Sequence, residues 1–232
     1  MRNPFRYFNS SPAVIRTAVL LYIRFPLSLR QVEDLLHERG IDISHETVRF
    51  WWNRFGPIFA AELRKRQRRT ARQHIQWRWH LDEVFVRVNG ERRYLWRAVD
   101  HEGEVLEVYV TKTRDRRAAL DFLKRALKRF GSPRSIVTDR LRSYGAALSD
   151  LGIVSRQDTT RQLNNRAENS HQPFRRRERS MQRFRSDATL QKFVSVHAVI
   201  HNHFNLDRHL TRRTDFRQRR DAALAEWRQL AI

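Results

Sequence analysis

The sequence predicts an α/β protein in which a mixed five-stranded sheet with helices follows a helical N-terminal module. Three observations support this fold class. Helix-capping residues and apolar residues at helical spacing recur over residues 11–66. Apolar and polar residues then alternate with a period of two, typical of strands, over much of residues 79–113. From residue 115 onward, helical patterns alternate with short apolar runs, as in units of a helix followed by a parallel strand.

The N-terminal module contains three predicted helices, each preceded by a serine suited to be its N-cap. These serines are Ser11, Ser28 and Ser44. Gln31 completes a capping box with Ser28, and Gly40 suits the left-handed position after a helix end. The second and third helices, with the glycine-containing turn between them, form a candidate helix-turn-helix.

The third helix of the module is the candidate for reading DNA, since the second helix of such a pair enters the major groove. His45, Arg49 and Asn53 follow one another at a spacing of four, which predicts one stripe turned away from the apolar side. Arginine pairs well with guanine and asparagine with adenine. The alternative is an ordinary helical hairpin with a solvated polar face.

The second half of the chain has a recognisable order of elements. Three antiparallel strands are predicted at 79–88, 91–100 and 104–113, with Asn89-Gly90 as the first turn. After them follow a helix ending at Gly131, a strand ending at Asp139, a helix over 142–152, a strand over 153–158, a basic helix over 164–181, a long helix over 187–203 and an Arg-rich tail from 211.

This order of three antiparallel strands and then parallel α/β units is that of the ribonuclease H-like fold. That fold places one carboxylate on the first strand, a second at the end of the fourth strand and a third on a later helix. Asp82, Asp139 and Glu168 fall at these places. Carboxylates are disfavoured inside strands, so acids there suggest oxygen ligands for a divalent metal such as Mg²⁺.

The charge of the chain indicates a polyanionic partner. Lys and Arg number 47 against 25 Asp and Glu, which gives a net charge of +22 and favours nucleic acid. The chain has no cysteine, which excludes disulfides, thiol catalysis and Cys-ligated zinc. The start resembles no signal peptide, and the longest apolar run, 18–23, is too short to span a bilayer. We therefore expect an intracellular protein.

Four stretches carry a resemblance to a known family: HLDEVFVRVNGERRYLWRAVDHEGEVLEVYV, SIVTDRLRSYGAAL, LNNRAENSHQPFRRRERSMQRF and HNHFNLDRHL. They resemble bacterial DDE-type insertion-sequence transposases, above all the insertion sequence six family. The resemblance covers nearly the whole chain. It departs at Arg140, where the family usually has lysine.

The resemblance implies an enzyme that binds the terminal inverted repeats of its element, exposes 3′ hydroxyls and joins them to target DNA. It implies Asp82, Asp139 and Glu168 as catalytic residues and ligands of Mg²⁺, with Mn²⁺ as a substitute. Arg175, seven residues after Glu168, matches the family's DNA-contacting basic residue, and Arg140 would also contact DNA. We further expect double-stranded DNA as the partner, a homodimer or higher oligomer, and a location in the bacterial cytoplasm with the nucleoid.

The expected domains, in chain order, are a helix-turn-helix module at 1–62, a basic linker at 63–76, a catalytic domain at 77–210 and a basic helical tail at 211–232.

Several alternatives remain open from the sequence. Glu83 is the neighbour of Asp82, but strand parity would place the two on opposite faces, so only one is expected to enter the site. Glu178 competes with Glu168 as the third acid, and Pro173 between them is a potential helix interruption. The rival functions are a DNA-binding regulator with an inactive nuclease-like domain, and another ribonuclease H-like nuclease or recombinase.

Overall fold

The structure is a computed structural model that describes residues 3–70, 77–160, 163–181, 183–205 and 211–231. The helices within these residues are α1 (Pro12–Arg24), α2 (Leu29–His37), α3 (His45–Thr70), α4 (Arg116–Phe130), α5 (Arg142–Asp150), α6 (Asn165–Ser180), α7 (Asp187–Phe204) and α8 (Arg213–Arg228). The strands are β1 (Arg78–Val88), β2 (Glu91–Asp100), β3 (Val105–Thr111), β4 (Ser135–Val137) and β5 (Gln157–Asp158).

The chain divides into two compact units that combine segments distant in sequence. Unit 1 comprises Met1–Arg68, Arg176–Gln182 and Val199–Ile232, and unit 2 comprises Arg69–Arg175 and Arg183–Ala198. This division differs from the linear ranges expected from the sequence, because contacts between distant segments have no signature in local composition. The expected linker at 63–76 falls partly in α3, and residues 71–76 lie outside the described residues.

The helices of unit 1 begin where the sequence predicts. The Ser11 hydroxyl accepts from the backbone N–H of Val14 at 3.3 Å. The capping box of α2 is complete, since the Gln31 side chain accepts from the Ser28 N–H at 2.8 Å and Ser28 accepts from the Gln31 N–H at 3.1 Å. Helix α3 runs for 26 residues and passes through Pro57.

The predicted tail forms α8, which is part of unit 1. Trp227 and Leu230 are buried, and the Trp227 indole N–H donates to the backbone oxygen of Arg16 at 3.2 Å. The Arg16 side chain returns a bond to the Leu230 carbonyl at 2.9 Å. Phe59 of α3 packs edge-on against Trp227, with 5.3 Å between ring centroids. Residues 211–231 thus complete the core around α1 and α3.

Unit 2 contains a five-stranded sheet in the order β3-β2-β1-β4-β5. Strand β1 pairs antiparallel with β2, β2 antiparallel with β3, and β1 parallel with β4, which pairs parallel with β5. This order is that of the ribonuclease H-like fold, as predicted. The first turn has positive φ at both Asn89 (49°) and Gly90 (85°), the pattern of a two-residue hairpin turn.

One face of the sheet packs against α4 and α5. Trp79, Leu81 and Trp96 are fully buried there with Phe122 of α4 and Tyr144 of α5. The apolar stripe predicted for α4 therefore covers the central strands, which fixes the position of β1.

Two predicted details of unit 2 are wrong. Strand β4 ends at Val137, two residues before Asp139, and only the last two residues of the predicted strand 153–158 pair in the sheet, after a 3₁₀ turn at Val154–Arg156. Pro173 does not interrupt α6.

In the described ranges no helix combines the length and apolar character that crossing a membrane requires.

Candidate metal centre and DNA-contacting residues

The candidate site lies where β4 ends beside β1. The parallel pairing of these strands reaches Val137 opposite His80 and goes no further. Asp139 follows two residues after Val137, and Asp82 follows two residues after His80. The two acids therefore leave the sheet at the same level, next to the part of β1 that β4 no longer covers.

Asp82, Glu83 and Asp139 form one carboxylate group. One oxygen from each lies within 4.8 Å of the others. The expectation that parity would keep Glu83 out of the site is wrong. The two side chains do alternate, but β1 has no neighbour on the β4 side at this level, so both can turn toward Asp139. Oxygen ligands at this separation suit a divalent metal ion.

The three acids differ in burial: the Glu83 side chain is almost fully buried, whereas that of Asp139 is 39% exposed. Burial, together with the nearby charge of Asp139, raises the pKa of Glu83 to about 7, against an ordinary 4.5. Burial also raises the pKa of Asp139. Arg114 forms an ion pair with Glu83 and lies 3.6 Å from an Asp139 oxygen. A cation beside closely spaced carboxylates offsets part of their mutual repulsion.

Helix α6 lies along the open edge of β1. The Asn164 side-chain amide, just before the helix, donates to the Leu81 carbonyl at 2.8 Å. Eleven residues later, Arg175 donates to the Phe85 carbonyl at 2.7 Å. An edge strand needs partners for its exposed backbone groups, and here side chains of a helix provide them.

This alignment sets the level of Glu168 along β1. Asn164, Glu168, His171 and Arg175 share one stripe, since they are spaced by four, three and four residues. The stripe extends about 16 Å from Asn164 to Arg175 at ~1.5 Å per residue, close to the ~13 Å that four residues span in a strand. Glu168, about 6 Å along α6, therefore comes level with residues 82–83 of β1.

His171 supports the same alignment. Its Nε2 lies 3.2 Å from an Asp82 oxygen, and its ring is almost fully buried. Burial lowers the pKa of His171. Glu168 lies one turn before it and is exposed, but it does not belong to the described carboxylate group within 4.8 Å. Glu178 lies ten residues, about 15 Å, further along α6 than Glu168.

A buried arginine of the sheet binds the backbone of α6. Arg97 of β2 is the cross-strand partner of Asp82 and is 1% exposed. Its guanidinium donates to the backbone oxygen of Ser170. Burial lowers the pKa of Arg97 to about 10. The sequence signal for this role is the position of Arg97 within the apolar run YLWRAV, and Arg97 was not among the predicted site residues. Asn164 and Arg114 were likewise not identified as neighbours of the site.

The candidate DNA-reading residues differ in their surroundings. The His45 ring lies 2.9 Å from the Glu33 carboxylate of α2, so it ties the start of α3 to α2. Arg49 pairs with Glu46 within α3. Asn53 is exposed and donates to the Arg49 carbonyl at 3.0 Å. Asn53 thus presents the most open polar side chain of the predicted stripe.

Arg140, the residue that departs from the family pattern, lies directly after Asp139 and is exposed. The Asp139 side chain accepts from the Leu141 N–H at 3.1 Å, which holds the turn around Arg140.

Comparison with known proteins shows the family of this chain. A protein-family model described as a DDE domain matches residues 76–207, more than half of the chain. The transposase for insertion sequence-like element IS431mec of Staphylococcus aureus strain Mu50 is 33% identical over 174 residues, which are 73% of this chain and 75% of that protein. The chain belongs to the DDE-type insertion-sequence transposases, in the insertion sequence six family.

A second insertion-sequence transposase and one solved structure are also similar to this chain. The transposase for insertion sequence element IS257 in transposon Tn4003 of Staphylococcus aureus is also 33% identical, over 73% of this chain and 75% of that protein. The catalytic domain of Mos1 mariner transposase has a TM-score of 0.35 and 15% identity, with 75% of this chain and 92% of that chain covered. Membership of the family makes the protein a polynucleotidyl transferase.

Proposed function

We propose that this transposase binds the terminal inverted repeats of an insertion sequence and catalyses DNA strand cleavage and strand transfer with Asp82, Asp139 and Glu168. The observation that carries the proposal is the alignment of α6 with β1. Asn164 and Arg175 fix the helix at Leu81 and Phe85, and the residue spacing along α6 supports a level for Glu168 near that of Asp82. The regulator alternative loses support, because all three acids are present and Asp82 and Asp139, from sequence-distant elements, lie in one carboxylate group.

The same acids fit a divalent metal. Asp82 and Asp139 would hold it with Glu168, and Mg²⁺ suits this set because it prefers carboxylate oxygens; Mn²⁺ is the expected substitute. When bound, such ions lower the pKa of an attacking hydroxyl and stabilise the leaving oxygen. Glu83 is the additional carboxylate within reach, and its pairing with Arg114 supports a structural role for it instead.

The remaining residues of the site would position DNA. Arg140 lies beside Asp139 and Arg175 lies on the Glu168 stripe, so both guanidiniums suit backbone phosphates next to the reacting bond. In unit 1, Arg49 and Asn53 would read bases of the inverted repeat in the major groove. His45 would contribute to DNA binding indirectly, because its contact with Glu33 fixes the start of α3 against α2.

The partners are therefore element ends and target DNA, both double-stranded. Two ends must be joined, so we propose a homodimer or higher oligomer on DNA in the bacterial nucleoid. The net charge of +22 favours rapid association with any duplex, and the sequence-reading residues would select the ends.

The test is a series of isosteric variants assayed for Mg²⁺-dependent nicking of a duplex that carries the element end. Asp82→Asn, Asp139→Asn and Glu168→Gln should each abolish nicking and strand transfer while end binding persists. Glu178→Gln is the matched control on α6 and should retain activity.

Three results would contradict the assignment. Substantial Mg²⁺-dependent nicking by Asp82→Asn or Asp139→Asn would remove these acids from the centre. Activity in Glu168→Gln together with loss in Glu178→Gln would move the third acid along α6, and loss in Glu83→Gln with retained activity in Glu168→Gln would make Glu83 the third ligand.

A further inference from the structure

Phe85 is an exposed aromatic residue in a strand whose other large aromatic residue is buried. It is 53% exposed, whereas Trp79 of the same strand and Trp96 of β2 are fully buried. Exposure of so much apolar surface costs free energy. Phe85 lies on the part of β1 that extends beyond β4, three residues after Asp82.

Two guanidinium groups lie over the Phe85 ring. The central carbon of Arg92 is 5.2 Å from the ring centroid, and that of Arg175 is 5.6 Å from it. Arg175 also donates to the Phe85 carbonyl at 2.7 Å, which holds it beside the ring. Arg92 is exposed at the start of β2 and has a long side chain that can turn toward a phosphate.

The separation of Phe85 from the carboxylate group matches a short stretch of DNA strand. Three residues of a strand span about 10 Å, and one DNA strand advances about 3.4 Å along the helix axis per nucleotide. A nucleobase on Phe85 would therefore belong to a nucleotide within about three positions of the phosphate that reacts at Asp82 and Asp139.

An aromatic face flanked by cations has the chemistry that recognises an unstacked nucleobase. Bases stack on aromatic rings without regard to sequence, while the guanidiniums bind the adjoining phosphates. A protein partner would instead need a contiguous apolar patch. Among the described residues of unit 2, the other large exposed apolar side chains are Trp77, at the opposite end of β1, and Val154 beyond β4.

We propose that Phe85, with Arg92 and Arg175, forms a stacking subsite for one unpaired base beside the scissile phosphate. This proposal rests on the proposed function, since it requires the DNA strand to pass Asp82. Stacking there would hold the strand away from its complement, so that the phosphate can reach the carboxylate group. Phe85 acts as a positioning residue, not a catalytic one.

The experiment couples the side chain to the base it stacks on. Nicking of an element-end duplex is measured for wild type and Phe85→Ala, on intact DNA and on duplexes with one abasic nucleotide at each of the three positions on either side of the scissile phosphate. On intact DNA, Phe85→Ala should lower kcat/KM about 5- to 150-fold, the usual range for one lost base stack. At one position, the abasic duplex should lower wild-type nicking by a similar factor and leave Phe85→Ala unchanged.

Matched variants separate stacking from structure. Phe85→Trp should retain the coupling, and Phe85→Leu, which keeps apolar bulk, should lose it. Trp77→Ala removes an exposed aromatic from the other end of β1 and should behave as wild type. Thermal melting of each variant checks that the fold is kept.

Two results would overturn the subsite. One is that the losses from Phe85→Ala and from the abasic nucleotide multiply at every tested position, and the other is that Phe85→Ala nicks intact DNA at the wild-type rate. That failure is distinguishable from failure of the proposed function, which shows as continued nicking by Asp82→Asn. If Asp82→Asn is inactive and no coupling appears, only the stacking proposal is wrong.

Discussion

The alignment of α6 with β1 depends on Asn164, and its removal gives a quantitative test. In Asn164→Ala, the Leu81 carbonyl loses the amide that donates to it at 2.8 Å. Asn164 is 8% exposed, so water has little access to replace the bond. The start of α6, and with it Glu168 one turn later, would then be held less firmly beside Asp82.

The expected loss of stability follows from burial. Leaving one buried polar group unsatisfied costs about 1–3 kcal/mol. For a chain of this size, each kcal/mol lowers Tm by about 2–4 °C, so Tm should fall by roughly 2–12 °C. Activity should fall further than stability predicts, because a displacement of about 1 Å at a catalytic group can cost ~100-fold in rate.

The assay is Mg²⁺-dependent nicking well below the Tm of every variant, so that unfolded protein does not contribute. Asn165→Ala is the matched control, because it makes the same change one position later at an exposed side chain. It should shift the free energy of unfolding by less than about 0.5 kcal/mol and leave nicking intact. Nicking at the wild-type rate by a destabilised Asn164→Ala would refute the idea that this amide positions Glu168.

Three further outcomes are expected. Arg49→Ala and Asn53→Ala should each reduce discrimination between element ends and random DNA by about 1–3 kcal/mol, and equal weakening on both DNAs with a shallower salt dependence would indicate phosphate contacts instead. Burial raises the pKa of Glu83 to about 7, so the stability that its protonated form contributes is complete below pH 4.5 and is lost as pH rises through 7. In metal-free buffer, the Tm of wild type relative to that of Glu83→Gln should therefore fall between pH 5 and pH 8. A Tm difference that stays constant over this range would show that Glu83 stays ionised. Gln191→Ala removes bonds of 2.8 and 3.1 Å to the backbone of edge strand β3 and should cost about 1–3 kcal/mol in a denaturation experiment.

Local signals in the sequence predicted local structure well. Capping residues such as Ser11 and Ser28 determine where helices begin, and the Asn89-Gly90 pair determines a hairpin turn, since each acts within four residues. The order of elements then restricts the sheet to few topologies, which is why the ribonuclease H-like order could be predicted from strand and helix patterns.

Contacts between distant segments could not be predicted in this way. Strand parity gave Glu83 the correct face of β1, yet the conclusion failed because β4 ends early and leaves that edge open. The bonds from Asn164 and Arg175 to β1 span 83 and 90 residues of sequence, and no local pattern announces them. The roles of Arg97 and Arg114 depend on such contacts as well.

The closure of unit 1 by residues 211–231 has a consequence for synthesis. The Glu62 carboxylate of α3 accepts from the backbone N–H of Ala231, 169 positions later. Ribosomes add about 5–20 residues per second, so α3 waits roughly 8–34 s for this partner. Every residue of the sheet unit emerges earlier. A chain that ends between residues 205 and 211 would therefore contain all three proposed catalytic acids but lack α8, the helix that completes the unit carrying α3.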